Sequence, residues 1–296
     1  MKKKQLYSAA VIASGCLWGL MGFFRRRMDT MGFDNTGVVL VRFGVTALLF
    51  ALTILLSDPA SIKIRLRDLW CFLGSGLCSL LFFTLCYFQA MTVMSLSTAA
   101  VLLYTAPCFV ILMSALLFKE RITARKLLAV ALSILGCALV SGVVGSRGTI
   151  TAAGLLFGLG AGFGYALYSI FGKLAFQRGY KSNTVNFYSC AFAAVGAGLI
   201  GGFRTPVGLM LSSGGNFAFV LFAALVTCYL PYLLYTYGLS GIEAGKASVM
   251  ASVEPVVATL LGVLAYHEPL GLFGALGMAL VLAAIVILEL KRKEHV

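Results

Sequence analysis

The amino-acid sequence predicts an all-α membrane protein with ten transmembrane helices in two inverted five-helix repeats. Three observations predict it: the 296 residues are 60% hydrophobic and only 11% charged, apolar runs of spanning length number ten, and features return at an offset of 147 or 148 residues. A soluble domain carries about a quarter charged residues, so a chain with a mean hydropathy of +0.99 does not have water as its main solvent.

A spanning helix needs roughly 20 apolar residues to cross about 30 Å of hydrocarbon. Interruptions by charge, Gly or Asn mark ten such runs. The first, Leu6 to Phe24, lies between Lys2–Lys4 and Arg25–Arg27. Thr36 to Leu56 follows Asp34 and Asn35 and stops before Asp58, and Leu69 to Met91 begins after the charged stretch that ends at Asp68. Leu96 to Phe118 runs into Lys119-Glu120-Arg121, and Ala124 to Val144 ends in glycine. The second half supplies Ala152 to Ala175, Val185 to Phe203, Phe217 to Gly238, Ala244 to Tyr266 and Leu270 to Leu290. A β-barrel would instead show segments of about ten residues alternating apolar and polar.

The net charge of +13 would suit nucleic acid if it were spread over one chain face. Its placement excludes that reading. Lysines and arginines crowd the segments around residues 2–4, 63–67, 119–126, 173–181, 246 and 291–293, while the alternate segments hold only Arg25, Arg26, Arg27, Arg147 and Arg204. The positive-inside rule therefore places both termini in the cytoplasm of a multi-pass protein of the plasma (inner) membrane, and the basic side attracts anionic lipid. Arg25–Arg27 break the rule locally.

Cys16, Cys71, Cys78, Cys86, Cys108, Cys137, Cys190 and Cys228 all fall in the runs without CxxC spacing, which predicts buried small hydrophobes and neither disulfides nor a metal site. Ala13-Ser14-Gly15-Cys16 has the look of a lipoprotein cleavage site. The apolar stretch before Cys16 is short, however, and the run continues to Phe24.

Sliding the chain on itself matches Pro107 with Pro255, Glu120 with Glu268, Ala99 with Ala247, Trp18 with Tyr165 and Arg26 with Lys173. Two units are expected, 1–147 and 148–296. Five spans per unit is an odd number, so the second copy lies upside down. The loop Lys119-Glu120-Arg121 accordingly becomes His267-Glu268-Pro269, which has lost both flanking basic residues. Such inverted repeats are a recurrent plan of secondary transporters.

Pro107 and Pro255 remove the amides that would bond the carbonyls of Leu103 and Ala251. Those carbonyls should face a polar cavity or another helix, marking either a central site or two packing kinks. Glu254, alone among ten acids, sits in the middle of a span. An ionised carboxylate there costs about 3 kcal/mol, and such residues usually line pathways, hold cations or shuttle protons. The alternative is a structural carboxyl bonded to Ser248 or Ser252. Arg42, the basic residue inside a span, can either snorkel to the outer interface or serve the substrate or a gate. Tyr229, Tyr232 and Tyr235, with Tyr165 and Tyr168, repeat at a spacing that shares one helix face, suited to an aromatic cage or to plain packing. Pro231 is expected to kink the eighth span alone, since its equivalent is Phe83. Gly15 and Gly19, and Gly154, Gly158, Gly160, Gly162 and Gly164, predict close helix contact; a nucleotide loop would need a βαβ setting. With His267 and His295 the only histidines, and no nucleophile–base set, no catalytic residue, metal or cofactor is expected.

Trp18-Gly19, Arg42 and the two stretches APCFVILMSALLFKERIT and EPVVATLLGVLAYHEPL, each with a central proline and an end glutamate, resemble the EamA family of the drug/metabolite transporter superfamily. The resemblance covers essentially the whole chain. It implies a central cavity that touches Trp18, Tyr87, Tyr104, Tyr165, Tyr235, Ser252 and Glu254, with Glu120 and Glu268 as structural loop-end residues.

The expected function is a secondary carrier, not an enzyme: an exporter of small metabolites or amino acids, working by alternating access, with proton coupling through Glu254 as an option. An importer of a quaternary amine such as choline is the alternative. A membrane enzyme or a non-transporting scaffold subunit is the reading from another class. Substrate, direction, coupling ion and oligomeric state stay open in the sequence.

Overall fold

The computed structural model describes residues 2–94, 96–140, 151–266 and 271–289. Every regular element among them is helical. Nine helical stretches of the described residues are long and apolar enough to cross a membrane. The remaining expected span is α8 (Ala124–Val140), 17 residues that reach the edge of the described region.

Span one is longer than its apolar run. It consists of α1 (Lys2–Gly19) and α2 (Met21–Thr30). The arginine cluster is therefore helical, not a loop. Phe24 and Met28 are buried on one side of α2, while Arg25 pairs with Asp29 one turn on at 2.6 Å and donates to Asn35 Oδ1 at 2.7 Å. Span two is α3 (Asn35–Ser57), capped by Asp34, whose carboxylate accepts from the Gly37 amide. Span three joins α4 (Leu69–Leu73), a π-helical stretch Gly74–Leu81, and α5 (Phe82–Val93). Span four breaks between α6 (Leu96–Leu103) and α7 (Ala106–Phe118).

In the second half, span six is the unbroken α9 (Ala152–Gln177), and span seven is α10 (Ser182–Gly201). The run expected to end at Phe203 is instead stopped by Gly202 at φ 84°, and a short helix the sequence did not announce, α11 (Arg204–Leu211), follows. Span eight comprises α12 (Gly214–Ala224), a π stretch Leu225–Tyr229 and α13 (Leu230–Gly241). Span nine breaks between α14 (Ala244–Ala251) and α15 (Glu254–Tyr266), and span ten is α16 (Leu272–Glu289).

The repeat is written into these boundaries. Asn35 and Ser182 open spans two and seven 147 residues apart, and α5, α6, α7 and α8 start 148 residues before α13, α14, α15 and α16. Both π stretches end at equivalent residues, Leu81 and Tyr229. Pro231 is thus not the cause of the distortion in span eight, because span three has the same one with Phe83 in its place.

Packing obeys the same two-fold relation. Span one lies against spans eight and nine, and its equivalent, span six, against spans three and four; span two meets span seven, and span five meets span ten. In the last pair a Cβ on Gly136 would stand 2.7 Å from the Gly277 carbonyl oxygen, and one on Gly277 2.6 Å from that of Gly136. Their repeat equivalents, Ala284 and Ala129, are both fully buried in one cluster with Ile111 and Val249. Small residues bring these backbones together where lipid supplies no hydrophobic drive.

Of the eight cysteines, five are buried as expected and Cys16 is partly so. Cys78 and Cys108 are exposed, and their helices turn them outward instead.

Candidate functional site

The site is built on the two broken helices. Pro107 and Pro255 take the second position of α7 and α15, where a missing amide hydrogen costs little. The turn before each is tightened: the Thr105 amide donates to Leu102 at 3.2 Å, and the Ser252 amide to Val249 at 3.2 Å. Both prolines are buried inside the bundle. Of the two destinations open to the carbonyls of Leu103 and Ala251, the structure supplies another helix. A Cβ on Gly15 would lie 2.7 Å from the Ala251 oxygen, and one on its equivalent Gly162 would lie 3.2 Å from the Leu103 oxygen. Spans one and six therefore bring bare backbone against the breaks.

Beside this contact runs a narrow seam with two crevices. One is lined by Trp18, Ser79, Leu80, Phe83, Tyr165, Tyr168, Ser169, Tyr232 and Tyr235. The other is lined by Leu103, Tyr104, Ala106, Pro107, Tyr165, Ser248, Ala251 and Ser252. Tyr165 belongs to both. Trp18 stands with its ring centre 5.3 Å from those of Tyr232 and Tyr235 and 6.2 Å from that of Tyr165, at inclinations of 70°, 50° and 68°. Rings at such separations and angles pack edge to face.

Two of the tyrosine hydroxyls of this box have partners. Tyr168 donates to Asn186 Oδ1 at 2.6 Å, and Tyr235 shares a 2.6 Å bond with Ser169. Asn186 in turn donates to the Tyr232 carbonyl and to Thr236 Oγ1, fixing span seven to span eight.

Glu254 opens α15 at the break, half-buried, in electrostatic range of Tyr104, Tyr87, Tyr165 and Cys137. Among the described residues its carboxylate has neither a hydrogen bond nor an ion pair. Of the expected serine partners, Ser252 turns elsewhere, its Oγ donating to the Ser248 carbonyl at 3.4 Å. Ala106 holds the equivalent place on α7, so one half alone carries the acid.

Arg42 does not snorkel outward. Its Nη2 lies 3.3 Å from the carbonyl of Thr227, within the π stretch of span eight, where wider winding leaves carbonyls without their usual donors. Its Nε has no partner. At the opposite end, Glu120 accepts from Lys173 at 2.8 Å and from the Ala244 amide at 3.1 Å, and Lys126 pairs with Glu243 at 2.8 Å. These bonds tie one repeat to the other. Glu268, the repeat counterpart of Glu120, lies outside the described residues.

The structure thus gathers Trp18, Tyr165 and Tyr235 in one crevice and Tyr104, Tyr165 and Ser252 in the other, with Tyr87 and Glu254 alongside. Tyr168 and Tyr232 belong to the box as well, and their three-residue spacing from Tyr165 and Tyr235 was the available signal. Tyr229, of the same stripe, leaves it to lie tilted against Phe50, ring centres 4.6 Å apart, and to bond Thr53.

A profile of the EamA-like transporter family matches residues 6–142 and again residues 152–290. The chain belongs to the EamA-like transporter family. Among its relatives is a protein of Archaeoglobus fulgidus described as an uncharacterized transporter, 28% identical over 282 residues that make up 94% of each chain. Another, the uncharacterized transporter YetK of Bacillus subtilis, is 23% identical over 88% of this chain and 79% of its own. A solved structure titled only as the crystal structure of a protein superimposes with a TM-score of 0.78 over 95% of both chains at 17% identity, so the fold extends to it. As an EamA-family member the chain is a multi-pass membrane protein of the transporter kind.

Proposed function

We propose that this chain is a secondary carrier of the plasma (inner) membrane, with both termini cytoplasmic, that exports small metabolites or amino acids by alternating access, and that Glu254 exchanges a proton in the cycle. The observation that carries the reading is the unpartnered carboxyl of Glu254 at a helix break beside a tyrosine-lined seam. A membrane-embedded acid without a partner is expensive, and such residues usually serve a pathway or a proton. Inverted repeats supply the motion, because each half can adopt the conformation of the other and so expose one site to either side. The bonds of Glu120 with Lys173 and of Lys126 with Glu243 join the repeats at one end of the bundle, the end that this reading takes as cytoplasmic.

Reconstitution tests it. In liposomes loaded with mixed metabolites, efflux is expected to follow an imposed pH gradient, and Glu254→Gln is expected to remove that dependence while leaving the protein folded. An unchanged pH response in Glu254→Gln would discard the coupling role, and a flux no greater than that of empty vesicles would discard the carrier.

A further inference from the structure

We infer that Arg25 and Arg42 form an anion subsite at the end of the bundle opposite Glu120, where both guanidiniums hold one oxyanion, a carboxylate or a phosphate group. The inference goes beyond the carrier reading and does not depend on it, since it concerns binding alone.

Three observations meet there. The first is unspent donors. A guanidinium offers its N–H groups in a planar fork that fits a carboxylate or phosphate. Arg25 spends Nη2 on Asp29 and Asn35, and Arg42 spends Nη2 on the Thr227 carbonyl. Arg25 Nη1 and Arg42 Nε are both buried without a hydrogen bond.

The second is charge. The two side chains lie in electrostatic range of each other, and like charges repel more strongly away from water. Asp29 answers Arg25, while Asp34, also in range, spends its oxygens on the Gly37 amide and the Thr36 hydroxyl. Among the described residues Arg42 has no carboxylate partner, and the thiol of Cys228 beside it is a weak acceptor. A buried cation is costly unless a counter-charge reaches it.

The third is placement. Arg25 reaches from α2 to span three, where its guanidinium stands 5.8 Å from the ring centre of Phe88, and it stays partly exposed to solvent. Arg42 lies in electrostatic range of Tyr232, which lines the Trp18 crevice. The pair therefore links solvent to the seam. The other half has no such pair: at the repeat offset Arg25 becomes Gly172 and Arg42 becomes Ser189, whose hydroxyl is bonded to Ser75.

The test uses the purified full-length protein in phosphatidylcholine nanodiscs, with inorganic phosphate and acetate as probes against sodium chloride of equal ionic strength. Thermal stabilisation and, independently of stability, broadening of the phosphate 31P signal are read. Both probes are expected to bind saturably. Arg25→Gln should weaken them at least ten-fold, and so should Arg42→Lys, which keeps the charge but loses the fork. Arg27→Gln should leave binding unchanged. Phosphate binding that persists when phosphatidylglycerol is added to the discs assigns the subsite to a free anion. Its loss there, with phosphatidylglycerol retained in native mass spectra of the parent protein but not of Arg25→Gln, assigns it to a lipid headgroup, and either result keeps the subsite. Probes no better than chloride, an effect of Arg27→Gln equal to that of Arg25→Gln, or indifference to both Arg25→Gln and Arg42→Lys overturns it. Absence of flux in liposomes would discard the carrier and leave the subsite standing.

Discussion

Arg42 illustrates how a single residue reads differently in sequence and in space. Its nearness to the end of a span made an outward reach to the interface reasonable, yet its partner is a carbonyl 185 residues away, exposed by a helical distortion that no hydropathy pattern announces. Replacing Arg42 with Met should leave the Thr227 oxygen without its charged donor inside the bundle and cost about 1–3 kcal/mol. A lowered melting temperature of the purified variant, partly recovered by Arg42→Lys, is the expected readout. Glu254 was legible because an acid within an apolar run stands out, and Trp18, Tyr165 and Tyr235 because aromatic spacing follows the helical period. The closing of Tyr168 and Tyr232 around Trp18 was less so, since it depends on how spans one, six and eight meet.

At the scale of elements, the breaks in spans four and nine were readable from two prolines, because a missing amide hydrogen is a local fact. The paired π stretches were not. They owe nothing to Pro231, and the sequence around Gly74–Leu81 holds no proline at all. The glycines of spans one and six were readable as contact faces, but not that they would seat the carbonyls of the breaks. Gly15→Ala and Gly162→Ala should each push a methyl group toward those oxygens and separate spans that must stay in touch. A loss of about 1–3 kcal/mol is expected for each, as for other overpacked contacts, whereas Gly22→Ala, where an added Cβ meets nothing within 4 Å, should be neutral. Thermal unfolding of the three variants side by side checks the difference.

For the whole molecule, the repeat was the most legible feature, since equal offsets survive even where residue types have changed. Less legible was how the ends are held. Glu120 was expected to be structural, and it does bind loop and helix ends, but its partners Lys173 and Ala244 come from the other repeat. The alternating access proposed above requires those bonds to part. Glu120→Gln should therefore raise the accessibility of a cysteine placed in the seam to reagents applied from the side of the membrane that holds Glu120, and exchange of the charges, Glu120→Lys with Lys173→Glu, should lower it again. No change in labelling in either variant would mean that the bonds hold the fold without governing access.

The meeting of α8 with α16 carries a consequence of another kind. Gly136 faces Gly277, while Ala129 and Ala284, which stand in each other's places when the halves are exchanged, share one buried cluster. That reciprocity is the signature of a symmetric dimer of identical subunits. The surface is complete on each half before any peptide joins them, so residues 1–147 and 148–296 made as two separate polypeptides should find one another and co-purify. The bond that makes them a single gene product would then be a convenience of synthesis, with recognition already resident in the partners.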